Sequence, residues 1–244
     1  MQFNDSAGGQ GIVQDVYFQV HANATTYPIA DLTRNANAAL DKVVSLILGA
    51  DGRWQFDDKN STDLPIGTTN LVANQQDYSF DTEYLVILDI ICSDQNGNDV
   101  RLVPIDNADM GREEALTQFM NVAGTPQYYD KVGDSILLYP KPSYNYTNGL
   151  KAYFQRKMSY FSTSDTTKEP GFAKHLHNYV SLFCQMKYAK SKELKKLSAI
   201  EKEMEYYEGN LEKGGNDPGE IRRFYSYREK DDRKILKPNT TVKI

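Results

Sequence analysis

Metal binding or nucleophilic chemistry in this chain would have to start from its three histidines and two cysteines. His175 and His177 lie two positions apart. On a helix they point in different directions, so they cannot grip one metal ion as an i,i+4 pair does. His21 stands alone, and nothing around Cys184 makes a nucleophile–base–orienter set. Cys92 falls in a strand-like stretch and Cys184 in a helix-like one, so two buried free thiols are expected rather than a disulfide framework. Asp106, Asp109, Glu113 and Glu114 would crowd carboxylates onto one turn of a helix. Acids gather at helix starts for dipole reasons, and nothing here specifies the paired geometry of sugar hydrolysis. Asp57, Asp58 and Asp63 lack the regular spacing and the glycine of a calcium loop. Gly8-x-x-Gly11 neither follows a strand nor carries the phosphate-loop lysine. The expectation is no catalytic residue, no cofactor and no metal site.

Binding chemistry is concentrated instead at the C-terminus. After the run Gly214-Gly215-Asn216-Asp217-Pro218-Gly219, basic residues alternate with aromatic and aliphatic ones. The candidate partner-binding residues are Ile221, Arg222, Arg223, Phe224, Tyr225, Tyr227, Ile235 and Leu236. Such a segment has no neighbours in its own sequence on which to bury these groups, so it is expected to order on a partner. It could bind nucleic acid by charge and stacking, dock on a protein as a hook, or be a disordered terminus. Glu229, Asp231 and Asp232 weaken a phosphate role, and apolar residues recur through the tail, so protein docking is favoured.

Composition sets bounds on the rest. A chain of 244 residues suffices for one large or two small domains. The 17 Tyr and 10 Phe against one Trp suit surfaces partly buried and partly wet, as at subunit contacts. A net charge of −5 gives no general attraction to a polyanion. Residues 1–5 lack the basic start and apolar run of a secretory segment, and no apolar stretch approaches transmembrane length. A soluble protein made in a reducing cytoplasm is expected.

These residues must be positioned by an α+β chain. Residues 1–30 read as an extended arm, with Ile12 to Val20 a strand or extended segment. A helix over 31–48 follows, with Asp31 at its cap and Leu32, Ala36, Ala39, Leu40, Val43, Val44 and Ile47 on one apolar stripe. Trp54 and Phe56 share one face of an extended stretch. A β unit spans about 70–156. It contains Leu71-Val72, Tyr78 to Phe80, the β-branched run Tyr84 to Cys92, a turn at Asn96-Gly97 and a return through Val100 to Pro104. A short helix from Asp106 through Met110, Ala115, Leu116 and Phe119 is inserted in it. Gln127 to Lys131 and Ser135 to Tyr139 pair across Gly133-Asp134. Pro140 and Pro142 stop the second strand, and Leu150 to Phe154 returns as a third. Two helices, about Phe172 to Ala189 and Glu193 to Glu212, complete a core over 31–213. Residues 214–244 form the docking tail. The fold class is therefore α+β: a bundle of a few long helices with an inserted antiparallel β unit and extended arms at both ends.

The run Gly124-Thr125-Pro126-Gln127-Tyr128-Tyr129, the strand Ile136-Leu137-Leu138-Tyr139-Pro140-Lys141-Pro142, the strand Leu150-Lys151-Ala152-Tyr153-Phe154 and the helix opening at Phe172-Ala173-Lys174-His175-Leu176 resemble the head–tail connector (adaptor, or neck ring) proteins of tailed bacteriophages. The resemblance implies a structural virion protein rather than an enzyme. It implies a homo-oligomeric ring of twelve copies that docks on the portal protein and joins it to downstream neck or tail proteins. DNA would pass through the lumen without specific binding, with no membrane involved. The protein would be assembled in the host cytoplasm and reside in the virion neck. The long residues 1–30 and the long C-terminal arm depart from the family's usual economy. The alternative is a nucleic-acid-binding module using the basic aromatic tail. A wall-degrading enzyme ranks last.

Overall fold

The structure is a computed structural model and describes residues 1–50, 60–61, 63–81, 84–105, 122–192, 194–210 and 217–226. The chain divides into a helical unit, Met1–Thr62 with Met158–Ile244, and a β unit, Asp63–Lys157. Helices and antiparallel sheets together make the protein α+β. Trp54, Phe56, Asp57, Asp58 and the whole stretch from Asp106 through Phe119 lie outside the described residues, as do Tyr227, Ile235 and Leu236.

The helical unit begins with a departure from expectation. Ile12–Val20 is a helix, α1, not a strand or an extended arm. Ile12, Val16 and Val20 recur at four-residue steps and are buried together with Val13. That spacing wins over the β-branched content because the stripe packs on another helix. Gly11 begins α1 in an extended conformation, and His21 ends it in the left-handed region at φ 51°. The residues before it are held as well. Phe3 is buried, stacks on Phe161 at 4.5 Å, and its N–H donates to the Lys168 carbonyl at 2.8 Å.

The second helix, α2, spans Ile29–Ala50. Asp31 lies in its first turn rather than at the cap, and the Pro28 carbonyl accepts from the Asp31 and Leu32 N–H groups. The expected stripe is buried from Leu32 to Ile47, except that Val44 is only half-buried. After a 3-10 turn at Lys174–Leu176 comes α3, Asn178–Ser191. The expected helix from Phe172 is thus split, with His177 at the junction. A further helix, α4, spans Leu197–Glu208, with Ile200 and Met204 buried. Both α1 and α2 pack on α3, as does α4. Consequently α3 buries Tyr179, Leu182, Phe183, Cys184 and Tyr188 around most of its circumference, as a hub helix must. Residues 219–226 form a last helix, α5.

The β unit has ten strands in the described residues. The first sheet joins β1 (Ile66–Leu71), β10 (Tyr146–Arg156), β3 (Tyr84–Ser93) and β4 (Asp99–Arg101) in that order, all antiparallel. The second joins β2 (Asp77–Ser79), β8 (Ser135–Tyr139), β7 (Tyr128–Val132) and β5 (Val103–Pro104), the β5–β7 pair being parallel. A short parallel pair links β6 (Ala123–Gly124) to β9 (Lys141–Pro142). Leu71, Ile90, Cys92 and Leu150 from the first sheet meet Tyr78, Ile136 and Leu138 from the second in one core. Alternate residues of each strand supply it, as pleating requires. The returning strand, β10, lies in the first sheet between β1 and β3, with Leu150, Ala152 and Phe154 opposite Cys92, Ile90 and Ile87 of β3. Gly97 and Gly133 turn their hairpins at φ 84° and 60°.

Candidate docking surface

The eight candidate residues divide into three groups. Ile221 and Tyr225, one turn apart, point inward from α5 and are fully buried in the helical core. The Ala173 N–H donates to Tyr225 Oη at 3.1 Å. For Ile221 and Tyr225 this corrects the expectation that they order only on a partner. At four-residue spacing on a helix, these two apolar groups find a surface on their own molecule. Phe224 is half-buried, with His175 edge-on to its ring at 4.5 Å. Arg222 runs beside Gly49 at the end of α2, and Arg223 is exposed, pairing with Asp217 at 2.9 Å and Glu220 at 3.4 Å. Tyr227, Ile235 and Leu236 fall outside the described residues.

What fixes α5 is a backbone clasp. The Asn210 N–H donates to the Asp217 carbonyl at 2.9 Å, and the Gly219 N–H to Asp217 Oδ1 at 3.0 Å. Gly209 and Gly219 face each other with φ 82° and 75°. A Cβ on either would run into the other's backbone. Both positions therefore demand glycine twice over, by conformation and by space. Gly219 was visible in the sequence as the end of the run from Gly214, but its partner Gly209 was not, since only the fold brings the two together.

Beside α5 lies an open groove of about 560 Å³. Leu46 of α2, Met186 of α3 and Met204 of α4 line it, together with Glu201, Glu205 and Glu208 of α4 and Arg222 of α5. Glu208 accepts from Tyr179 Oη at 2.6 Å and lies 3.8 Å from Lys42 Nζ; Glu201 lies 3.3 Å from Lys190 Nζ. Burial, reinforced by Glu208, pushes the Tyr179 hydroxyl far above its ordinary pKa, so it stays a donor.

The two neighbouring histidines diverge. His175 is exposed, whereas His177 is buried, with Nε2 3.0 Å from the Phe172 carbonyl and Nδ1 2.8 Å from the Met1 nitrogen. Burial pulls His177 down to about 4. Burial also raises Cys92 to about 11, and it raises Cys184 further, which keeps both as thiols. Asp15 of α1 accepts from Ser181 and Gln185 of α3, a polar seam that the sequence did not announce. Among the described residues no group of His, Cys, Asp and Glu is placed to hold a metal ion. No described helix is long and apolar enough to cross a membrane.

The family model of the SU10 adaptor proteins matches residues 15–229, from within α1 to just past α5. The chain belongs to the SU10 adaptor protein family. This is a phage head–tail adaptor family, so the protein has a structural role in the virion and in tail assembly. The family implies a neck component that contacts portal and tail proteins. No curated protein matches the adaptor chain. The matched span takes in both units and ends before Ile235 and Leu236.

Proposed function

We propose that this SU10 adaptor assembles as a closed ring of twelve copies in the virion neck, docked on the portal and joining it to the next tail component. The observation that carries the reading is the family match across both units, α5 included. A closed ring needs one surface of each copy to meet a different surface of the next. DNA passes through the lumen of a ring whose subunits each carry a net charge of −5, so the wall does not hold it. Assembly occurs in the host cytoplasm. No reaction is performed.

Docking falls to the residues beyond Ser226 together with the outward side of α5. Ile221 and Tyr225 are not available for it, being part of the core. The informative truncation therefore removes 227–244 and leaves α5 in place. That protein should fold but fail to join portal rings, as read by electron microscopy of the mixture. Unchanged joining would overturn the arm's role. The nucleic-acid reading is disfavoured because Arg223 is already paired with Asp217 and Glu220. It would require DNA binding that falls steeply with salt.

A further inference from the structure

We propose that the first sheet of the β unit continues from one copy into the next, β4 of each copy pairing antiparallel with β1 of its neighbour. The inference rests on the ring reading and names the surface through which copies meet.

The strand order β1-β10-β3-β4 leaves β1 and β4 at the edges, and neither meets a further described strand on its outer side. Hydrogen-bond alternation fixes which backbone groups face outward. The Phe154 N–H donates to the Pro65 carbonyl, so Gly67 and Thr69 turn their N–H and C=O groups toward β10 while Thr68 turns its own away. Likewise the Leu102 N–H donates to the Ile90 carbonyl, so Val100 faces β3 while the N–H and C=O of Asp99 and Arg101 face away. One row of paired residues crosses the whole sheet, from Thr68 through Lys151 and Ile91 to Arg101. Extended straight into the next copy, that row sets Arg101 opposite Thr68. Their outward backbone groups then meet as a hydrogen-bonded pair, and the alternation continues unbroken. The next row, from Thr69 through Leu150 and Cys92 to Val100, sets Val100 beside Thr69, two β-branched side chains on the face that carries buried Leu150 and Cys92. A shift by one residue would turn these faces over.

Strand direction favours the same junction. All three pairings in this sheet are antiparallel, so β1 and β4 run opposite ways and copies placed head to tail join antiparallel. That is the contact between unlike surfaces that a ring requires. The second sheet could join only in parallel, because β5 is parallel to β7 and its edges β2 and β5 run the same way. Its β5 edge is also two residues long and ends in Pro104, which donates nothing. Sheet edges are ordinarily defended by charge, proline or shortness. The β1 edge has six residues, Ile66–Leu71, with no charge and no proline among them. On β4 the charges are engaged within their own sheet, Asp99 with Lys151 at 2.6 Å and Arg101 with Asp89 at 2.8 Å. Closing the ring leaves no edge of this sheet open.

The test is a cysteine pair in the full-length protein, Thr68→Cys with Arg101→Cys, oxidised after mixing with portal rings. A hydrogen-bonded antiparallel pair holds its Cα atoms about 5.5 Å apart, within reach of a disulfide. The native Cys92 and Cys184 are buried and do not compete. The expected product is a covalent ladder of copies up to the complete ring, whereas either single-cysteine variant yields nothing longer than a dimer. Thr68→Pro removes an N–H that the sheet of one copy does not use. It should leave the melting temperature of the free chain unchanged and lower ring assembly at least about tenfold, as counted by electron microscopy. Should the proline variant fold poorly, the cysteine pair decides alone. Rings without a ladder, or undiminished rings from a well-folded Thr68→Pro, overturn the inference and leave the ring reading. A ladder without closed rings does the reverse. Neither ladder nor rings overturns both.

Discussion

The two units are stabilised by different distributions of sequence. The β unit draws its core from strands that follow one another between Leu71 and Leu150. The helical unit draws its core from Phe3 at one end of the chain and Tyr225 near the other, with the whole β unit intervening in sequence. Its centre, α3, receives α1, α2 and α4. Long-range closure of this kind leaves the helical unit dependent on both chain ends, whereas the β unit depends on neither. A terminal segment that looks like an accessory arm can therefore be structural for part of its length. Here the structural part includes Ile221 and Tyr225 of α5.

The largest effect should come from breaking that closure. Tyr225→Ala removes a fully buried ring and the acceptor for the Ala173 N–H, and should cost the helical unit about 3–5 kcal/mol. Urea unfolding followed by hydrogen exchange, resolved by unit, should show α3 and α5 losing protection while β3 and β10 keep theirs. Equal loss in both units would erase the contrast. Replacing Ile221 by Ala should act in the same direction, at about 2–5 kcal/mol.

This explains which parts of the molecule were legible in advance. Amphipathic stripes such as Leu32 to Ile47, and β-branched runs such as Tyr84 to Cys92, announce themselves because local spacing decides their form. The turn at Gly133 was legible for the same reason. The fate of Ile12 to Val20 was not, since its residues fit strand or helix and only packing on α3 decides. The sheet assignment of β10 was hidden because pairing across two sheets is set by partners far away in sequence. At the candidate site, the mixture of basic and aromatic residues was visible. Its division into buried Ile221 and Tyr225 and exposed Arg223 was not, because that depends on Gly209 meeting Gly219.

Acid should sharpen the contrast next. His177 belongs to the helical unit, and burial lowers its pKa to about 4 from an ordinary 6.5. Between those values the unfolded chain binds the proton and the folded chain does not. Stability from this group is thus complete above about pH 6.5 and is lost as pH falls toward 4, by roughly 3 kcal/mol at most. Denaturation of the helical unit measured from pH 7 to pH 4 should show that slope, and His177→Gln should flatten it. The clasp is tested in the same way. Gly219→Ala forces a side chain into the left-handed region and against the Gly209 backbone, and should cost at least the roughly 1–3 kcal/mol of the strained backbone. Exchange at α5 should then rise before exchange at α3.

The smallest effect is expected on the outer face of the β unit. Arg101 reaches Asp89 at 2.8 Å, but its side chain is 73% exposed. Holding a long side chain in water offsets most of what the ion pair contributes, so Arg101→Ala should change stability by no more than about 0.5 kcal/mol. Added salt should shrink even that difference, since the charges are within reach of the ionic atmosphere. Comparison by urea titration at low and high salt decides the point. A loss above about 2 kcal/mol would exceed what a surface pair supplies. It would mean that the β unit relies on its charged face as the helical unit relies on its buried chain ends, and the difference between the two would then lie in chemistry rather than in sequence distance.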